Sequence, residues 1–441
     1  MRRLSAWSKT CAKRAGLLLN RSFAAFYLYH LAMLWWMLDP FDIVSVVPAL
    51  KYMSLFFLCG MFALFAGLAE ALSKRARPSD FWIAYPVAFT VLYWFKGSVW
   101  PGIPFGDVAT LWSWCLPVLQ IVSLVGMFGL TFLTVFMASA LWHRKWIPAG
   151  LTAAFVLSFG FARLDNSDFA LDYNIRMVNT GIKGQGHYND AFAKLAAFSH
   201  AAGAEDVDLF AWPETAFGVE LDENPALAAA VAGVNSDASF LVVGFNRFEG
   251  GGDDWTVRNS LGVFTEGGLA EVYDKVNLVP FGEYVPRWLP LDVFMDKSRF
   301  YTPGEARPLL DLGAALAYPT ICYEIVFSAL RVPSAADFIL NISNESWIPP
   351  RGRAQHFDFA VIRAIEEGVP VVRSVNDGIS GVISPFGRTL AVMGRAGVLD
   401  AALPERLART PFSYTGNWLL VPVLLACFAA LMIRARRGQA K

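Results

Sequence analysis

Hydrophobic residues are concentrated in the first third of the chain and in one stretch near its end. Residues 20–162 contain long apolar runs with few charges, residues 163–415 mix short apolar and polar stretches, and residues 416–433 are again mostly apolar. A membrane helix needs about 20 mostly apolar residues. The pattern therefore predicts about five transmembrane helices in the first part and one in the last, and the fourth run is long enough to be tilted, kinked at Pro117 or split. The predicted spans are 22–38, 49–71, 81–96, 110–141, 146–162 and 416–433.

Charged residues between these runs indicate an orientation. The gaps 39–48 and 97–109 are acidic, whereas the other gaps between spans and both ends of the chain are basic. Cytoplasmic loops of membrane proteins carry an excess of Lys and Arg, so the basic segments are expected to be cytoplasmic. The chain is therefore predicted to have a basic cytoplasmic tail, a membrane domain, an extracytoplasmic domain, and a last span with its own basic cytoplasmic tail. These four parts are residues 1–21, 22–162, 163–415 and 416–441.

Residues 163–415 show a different pattern, in which short β-type runs alternate with helical stretches. Such alternation is typical of an α/β layered domain. Catalytic groups in these domains lie on loops just past the carboxyl ends of strands, and Glu214, Cys322 and Asn344 all lie at such positions. The predicted strands are 175–179, 207–211, 240–245, 261–265, 314–321, 338–342, 369–375 and 381–384, and the predicted helices are 191–200, 225–234 and 354–367.

Composition narrows the possible functions. The 441 residues are 55% hydrophobic and 17% charged, and the formal net charge is zero, which gives no support to a nucleic-acid partner. Four of the five cysteines lie in the N-terminal tail or in apolar runs, which is not the pattern of a disulfide framework. The five histidines form no HxH or HExxH cluster, and the sequence contains no CxxC. We therefore expect neither a catalytic metal nor a cofactor.

Cys322 is the one cysteine outside those segments, and it follows a short apolar run in the sequence Pro-Thr-Ile-Cys-Tyr-Glu. A free cysteine is commonly a buried, inert residue. Here, however, two further ionisable residues occur where apolar runs meet turns, namely Glu214 in Trp-Pro-Glu-Thr and Lys275 in Tyr-Asp-Lys-Val. A reactive thiolate needs a neighbouring base and a positive charge. The three residues together therefore indicate a thiol-nucleophile site for acyl transfer.

The same stretches carry a family resemblance. Glu214 lies in WPETA, Lys275 begins KVNLVPFGEYVP, and Cys322 lies in ICYE. Further matching stretches are ISNESW (342–347), QHF (355–357), RAIE (363–366) and RSVNDG (373–378). In these motifs the chain resembles the nitrilase, or carbon–nitrogen hydrolase, superfamily and its membrane-bound branch, the apolipoprotein N-acyltransferases. The resemblance covers essentially all of residues 172–400 and, less completely, the membrane part.

This resemblance implies a fold, roles for the site residues, and partners. The fold is an α-helical transmembrane bundle plus an α/β four-layer α-β-β-α sandwich. Glu214 would be the general base, Lys275 would stabilise the oxyanion, and Cys322 would be the nucleophile that forms a thioester. Additional functional positions of the family are matched by Glu283, Tyr323 and Glu324. The implied partners are the bilayer, a phospholipid acyl donor and a lipoprotein or other amine acceptor, and the catalytic domain would lie on the periplasmic side of a bacterial inner membrane.

Other polar residues of the motifs have less specific interpretations. Glu324 could fix the start of a helix, and the backbone amides of Tyr323 and Glu324 could donate to the oxyanion. Arg363 and Arg373 are expected to be structural ion-pair partners. His356 is expected to be a packed or solvent-facing residue.

The chain departs from the acyltransferase pattern, and the departures keep other functions open. Five spans are predicted before the catalytic domain where the family has seven, Tyr188 replaces a Trp, the segment 93–97 with Lys96 lacks the Glu and Arg that the family favours, and residues 348–353 replace a Gly-containing loop. A shortened relative of this kind also resembles the TraB-like conjugal transfer proteins of rhizobial plasmids, in which a carbon–nitrogen hydrolase domain follows a reduced membrane part. The alternatives are therefore an amidase that uses water as acceptor and an accessory factor of plasmid transfer.

Overall fold

The computed structural model describes residues 18–40, 48–164, 169–182, 188–216, 225–234, 239–250, 256–284 and 300–439. The chain forms two compact units, one of residues 1–164 and 414–441 and the other of residues 165–413. Most of the predicted basic tail, residues 1–17, lies outside the described residues, as does the acidic residue Asp42. Each unit has its own buried apolar cluster.

The first unit is a bundle of helices. Aromatic side chains pack in its core, where the ring of Phe89 lies 4.8 Å from that of Phe26 and 3.9 Å from that of Tyr93, between centroids. The long helices are α1 (Arg21–Leu34), α2 (Pro48–Ser73), α3 (Phe81–Ser98), α4 (Val122–Trp142), α5 (Trp146–Arg163) and the C-terminal helix (Leu420–Gln439). A helix thus lies at each of the six predicted span positions.

Not all of these helices are long enough to cross a bilayer by themselves. Among the described residues, three helices are long and apolar enough, namely Ala49–Ser73 within α2, and α4 and α5. A fourth candidate is the pair Pro411–Trp418 and Leu420–Ala429, which is bent by 51°. Helix α1 has 14 residues, fewer than the roughly 20 that a span needs. The arrangement of five spans followed by one therefore stays a prediction.

The long fourth run is split rather than continuous. A 3-10 turn over Val108–Trp112 and a one-turn helix over Leu116–Leu119 precede α4. Pro117 lies in the first turn of that short helix, where its missing N–H is tolerated. Gly126, with a φ of 69°, interrupts the helical backbone inside α4. A proline start and a glycine kink therefore divide the run into shorter segments.

Lys96, at the edge of a gap that was predicted to face the outside, is fully buried in the last turn of α3. Its Nζ donates to the carbonyl oxygens of Ile103 (3.2 Å) and Phe105 (3.0 Å) and lies 4.5 Å from the ring centre of Phe62. A buried charge needs such partners, because leaving water is costly for it. Lys96 therefore holds the turn that follows α3.

The second unit contains two six-stranded sheets. Its strands are β1 (Ala170–Asn179), β2 (Leu209–Ala211), β3 (Phe240–Glu249), β4 (Thr256–Thr265), β5 (Gly268–Asp274), β6 (Leu310–Asp311), β7 (Leu316–Ile321), β8 (Phe338–Asn344), β9 (Val371–Asn376), β10 (Ser380–Ile383), β11 (Thr389–Met393) and β12 (Gly397–Pro404). The first sheet has the order β12-β1-β2-β3-β4-β5 and the second β11-β10-β9-β8-β7-β6. The centre of each sheet is parallel, over β1-β2-β3 and over β7-β8-β9.

The two sheets pack face to face and are covered by helices. Successive side chains of a strand point to opposite faces. In β1, Ile175 and Met177 lie in the core between the sheets, whereas Val178 lies in the cluster shared with the helices. The helices α6 (Tyr188–Ser199) and α7 (Pro225–Ala232) cover the first sheet, and α8 (Pro350–Glu367) packs against the second. The predicted fold class, a helical bundle plus a four-layer α-β-β-α sandwich, is confirmed.

Every predicted strand and helix of this unit is present, but four strands were not predicted. They are β5, β6, β11 and β12, which are the outer strands of the two sheets. Most of their residues are partly or fully exposed, and β6 has two residues. An edge strand without a continuous apolar run gives little sequence signal, and this is why these strands were missed.

Candidate active site

Loops that follow β2, β5 and β7 bring the three predicted catalytic residues into one buried site. Lys275 directly follows β5, Cys322 directly follows β7, and Glu214 lies three residues after the end of β2. The Nζ of Lys275 lies 3.4 Å from Oε1 of Glu214, and the charges of both residues act on the thiol of Cys322. The two sheets therefore each contribute to the site.

The turn that carries Glu214 is tightly held. Gly244 of β3 lies so close that a Cβ atom there would be 2.5 Å from the Cα of Glu214, so a larger residue does not fit. The carboxylate accepts hydrogen bonds from Nδ2 of Asn259 (2.7 Å, at Oε1) and from the backbone N–H of Asn344 (2.8 Å, at Oε2). Both oxygens of Glu214 are thus oriented by donors, one on β4 of the first sheet and one at the end of β8 of the second.

Lys275 lies between two carboxylates. Its Nζ is 2.7 Å from Oε1 of Glu283 and 3.4 Å from Oε1 of Glu214, and its side chain is fully buried. Burial lowers the pKa of Lys275, but the carboxylates of Glu283 and Glu214 more than offset this effect, so the pKa lies well above its usual value. The ammonium group is therefore a fixed positive charge in the site.

Glu283, predicted as a supporting residue, contacts Lys275 and Asn259, which both also contact Glu214. Its Oε2 accepts from the backbone N–H of Val279 (2.8 Å), and Nδ2 of Asn259 lies 3.3 Å from its Oε1. Burial raises the pKa of Glu283, Lys275 opposes the shift, and Glu214 adds to it, with a net increase. Two carboxylates that share one ammonium group disfavour each other's ionisation.

Cys322 has an unusual backbone and a buried thiol. It begins a short 3-10 helix, its φ is 50°, and it is 5% exposed. A left-handed backbone costs a residue with a side chain about 1–2 kcal/mol. Burial raises the pKa of the thiol, Glu214 adds to this, and Lys275 opposes it, with the net result well above the ordinary value. Burial and the neighbouring charges therefore favour the protonated form of this thiol.

Glu324 is a buried anchor beside the catalytic residues. Its carboxylate ties the chain just after Lys275 to the chain just before Cys322. The donors to it are the hydroxyl of Tyr273 (2.8 Å), the backbone N–H groups of Val276 and Asn277 (both 2.9 Å) and of Ile321 (2.8 Å), and the guanidinium of Arg307 (2.5 Å). The bond from Ile321 also caps the 3-10 helix that starts at Cys322, which agrees with the expectation that Glu324 fixes a helix start.

Tyr323, the remaining supporting residue, follows the nucleophile directly and is 7% exposed. Its ring packs edge-on against Phe327 with the centroids 5.2 Å apart. Burial raises the pKa of its phenol above the usual value. Tyr323 therefore presents an uncharged side chain next to Cys322.

A group of buried polar side chains behind Cys322 was not predicted as a unit. Nε2 of His356 lies 3.2 Å from the carbonyl oxygen of Cys322, and its Nδ1 lies 2.7 Å from Oε1 of Glu345 and 2.9 Å from Nη2 of Arg373. Arg373 also pairs with Glu345 and with Asn341. His356 is thus a packed residue, which was one of the two expectations for it. It also contacts the backbone of Cys322.

The ion-pair roles expected for two arginines are confirmed. Arg373 pairs with Glu345, and Arg363 pairs with Glu366 at 3.0 Å. Within the described ranges, no group of three or more His, Cys, Asp or Glu side chains is arranged to hold a metal ion.

Comparison with known proteins identifies the family. The family model for the apolipoprotein N-acyltransferase N-terminal domain matches residues 4–140, and that for carbon–nitrogen hydrolase matches residues 186–411. The apolipoprotein N-acyltransferase of Agrobacterium fabrum is 30% identical over 93% of this chain and 85% of its own length. The chain belongs to the apolipoprotein N-acyltransferase family. The apolipoprotein N-acyltransferase of Rhizobium meliloti is 31% identical over 86% of this chain and 78% of its own length.

A solved structure also resembles part of the chain. A mutant of the Nesterenkonia AN1 amidase, from the nitrilase superfamily, is 16% identical and covers 58% of this chain and 99% of its own, with a TM-score of 0.45. The function class predicted from the motifs, a membrane-bound acyltransferase of the carbon–nitrogen hydrolase superfamily, is confirmed by the family membership. The relatives found give no support to the conjugal-transfer alternative.

Proposed function

We propose that Cys322 takes an acyl group from a membrane phospholipid and that Glu214 and Lys275 make this possible. The thiol proton passes to Glu214 as the sulfur attacks the ester carbonyl. Lys275 stabilises the negative charge that develops on the carbonyl oxygen, where one fixed charge in a poorly hydrated site is worth several kcal/mol. The intermediate then expels the lysophospholipid alkoxide, which takes the proton from Glu214, and the acyl group remains on Cys322 as a thioester.

In the second half of the reaction an amine replaces the thiol. The amine of a lipoprotein N-terminus attacks the thioester carbonyl and gives a proton to Glu214, and Lys275 again stabilises the oxyanion. The sulfur leaves and regains a proton from Glu214, so the enzyme returns to its resting state. The product is an amide, and the net reaction moves one acyl group from an ester oxygen to a nitrogen.

The observation that supports this proposal is the position of Lys275. Its buried ammonium group lies between the carboxylates of Glu214 and Glu283, and its charge acts on the thiol of Cys322. A base, a fixed positive charge and a nucleophile are the three groups that acyl transfer needs. The apolar helices of the first unit would anchor the chain in a bilayer, which contains phospholipid donors. We further propose that the protein lies in a bacterial inner membrane, with the catalytic unit on the periplasmic side.

Mass spectrometry of the full-length protein tests the proposal. The purified protein is incubated with phospholipid, wild type beside Cys322→Ala, and intact masses are recorded before and after hydroxylamine. We expect the wild type to gain the mass of one acyl chain, hydroxylamine to remove it, and Cys322→Ala to gain nothing. A folded wild-type protein that gains no mass would overturn the phospholipid donor and favour a hydrolase that uses water as acceptor.

A further inference from the structure

The backbone of Cys322 is held from both sides. The N–H of the preceding residue, Ile321, donates to Glu324, and the carbonyl oxygen of Cys322 accepts from Nε2 of His356 at 3.2 Å, with Nδ2 of Asn341 at 3.4 Å. A residue with a φ of 50° keeps this conformation only where its surroundings impose it. The contacts to the carbonyl oxygen come from α8 and β8, so they are independent of the loop that carries Lys275.

The direction of this carbonyl group also sets the direction of the next N–H. In a planar trans peptide the C=O and N–H groups point in opposite directions. A carbonyl oxygen that is bonded to His356 therefore turns the N–H of Tyr323 away from His356. Because a backbone N–H beside the nucleophile can stabilise an oxyanion, a change in this peptide plane would affect the reaction without touching Glu214 or Lys275.

We propose that His356 is a positioning residue that holds the Cys322 peptide in its left-handed conformation, and that Glu345 and Arg373 hold the imidazole ring in place. The side chain of His356 is 2% exposed, and those of Glu345 and Arg373 are fully buried. The inference rests on the proposed function, because it concerns the same nucleophile.

The contacts of the ring explain how the imidazole is held. The carbonyl oxygen of Cys322 can only accept, so the 3.2 Å contact with it needs an N–H on Nε2. On the other side of the ring, Nδ1 faces the carboxylate of Glu345 at 2.7 Å and the guanidinium group of Arg373 at 2.9 Å, and this guanidinium group also donates to Glu345. These contacts hold the ring with Nε2 directed at Cys322. Burial and the charge of Arg373 lower the pKa of His356, and Glu345 opposes this shift.

Two amide substitutions test the roles of the two ring nitrogens separately. The side-chain amide of His356→Gln reaches the position of Nε2, whereas that of His356→Asn reaches the position of Nδ1. We expect His356→Asn to form the Cys322 thioester about 100-fold more slowly in single turnover, because small misplacement of a reacting group has costs of this size. The dependence of the rate on phospholipid concentration should not change, and His356→Gln should recover to within about tenfold of the wild type.

A second readout keeps the test independent of the acyl donor. Alkylation of Cys322 by iodoacetamide is measured in the same full-length variants without substrate, and His356→Asn should again be slower than His356→Gln. The control is Glu367→Gln at the end of the same helix, where the carboxylate accepts from the backbone N–H groups of Arg331 and Val332. We expect this control to keep wild-type rates, and thermal midpoints report on folding.

The outcomes distinguish the two proposals. One outcome is that the wild type forms no thioester while the alkylation rates of the two His356 variants differ as expected. In that case the proposal of a phospholipid donor is wrong, and the positioning role of His356 is supported. Equal rates for His356→Asn and His356→Gln in both assays would overturn the positioning role, whether both match the wild type or both are slow.

Discussion

Opposing effects at Cys322 decide the state of the resting enzyme. Burial and the carboxylate of Glu214 raise the pKa of the thiol, and the ammonium group of Lys275 lowers it. The increase prevails, so the protonated thiol is favoured near neutral pH, where even an ordinary cysteine with a pKa of about 8.5 is mostly protonated. In the proposed mechanism Glu214, which is oriented by Asn259 and Asn344, takes the proton while the sulfur attacks.

This balance predicts how alkylation of Cys322 depends on pH. Because the thiolate is the reactive form and the pKa is raised, the rate with iodoacetamide should increase about tenfold per pH unit, without a plateau, up to about pH 10. The rate is followed by mass spectrometry at the peptide that contains Cys322. Cys322→Ala gives the background from the other cysteines, and circular dichroism marks the pH range in which the protein stays folded. A plateau below about pH 8 would mean that Lys275 prevails and that the resting group is a thiolate.

At the scale of elements, one carboxylate connects the loops that carry the nucleophile and the lysine. Glu324 accepts from the backbone after β5 and from the backbone at the end of β7, and it pairs with Arg307. These hydrogen bonds fix the two loops to each other. The geometry between Lys275 and Cys322 therefore depends on a residue that takes no part in the proposed proton transfers.

We expect Glu324→Gln to destabilise the protein strongly. The amide group loses the charge that Arg307 needs and turns an N–H₂ toward backbone donors, and breaking a buried ion pair typically costs about 3–5 kcal/mol. For a domain of this size that is a decrease of the thermal midpoint by roughly 6–20 °C. Tryptophan fluorescence of the full-length protein in detergent measures the midpoint. Glu266→Gln, at an exposed turn between β4 and β5, is the control and should change it little; equal midpoints for both variants would contradict the anchor role.

The strands that surround the site could be predicted from sequence, because their central parts are short apolar runs that end at turns. Glu214 and Cys322 were found in this way, since both follow the carboxyl ends of parallel strands. Lys275 was also singled out at the end of an apolar run, although its strand, β5, was not predicted, because β5 is a half-exposed edge. The roles of all three residues were implied by the family resemblance. The helix boundaries within the long apolar run 110–141 could not be predicted, since hydrophobicity alone does not show where a helix is interrupted.

The polar group behind Cys322 could not be predicted from spacing. His356 lies on α8, Glu345 follows β8, and Arg373 lies on β9, so their contacts arise only when the second sheet and its helix pack. The motifs ISNESW, QHF and RSVNDG contained all three residues, but one sequence does not show that their side chains meet. Their ion pairs could be expected from burial of charge, whereas the bond to the carbonyl oxygen of Cys322 could not.

At the scale of the whole molecule, the charge pattern of the membrane part predicts which side of the bilayer the catalytic unit occupies. Basic residues at 74–77 follow the second apolar run, and basic residues at 144–145 follow the fourth, which predicts that both gaps are cytoplasmic. The predicted odd number of spans would then place residues 163–415 on the other side. A phospholipid donor is present in either leaflet, so the side matters chiefly for the acceptor, because a lipoprotein amine has to be accessible there.

Labelling of single cysteines tests this sidedness. With the native cysteines replaced, Glu205→Cys is placed on an exposed turn of the catalytic unit and Lys74→Cys on a residue whose side chain is 55% exposed after α2. A membrane-impermeant maleimide should label Glu205→Cys in intact spheroplasts and Lys74→Cys only after lysis. Labelling of both sites after lysis shows that each cysteine can react. The reverse pattern in intact spheroplasts would put the catalytic unit in the cytoplasm, and the acceptor would then have to be an amine that is available on that side.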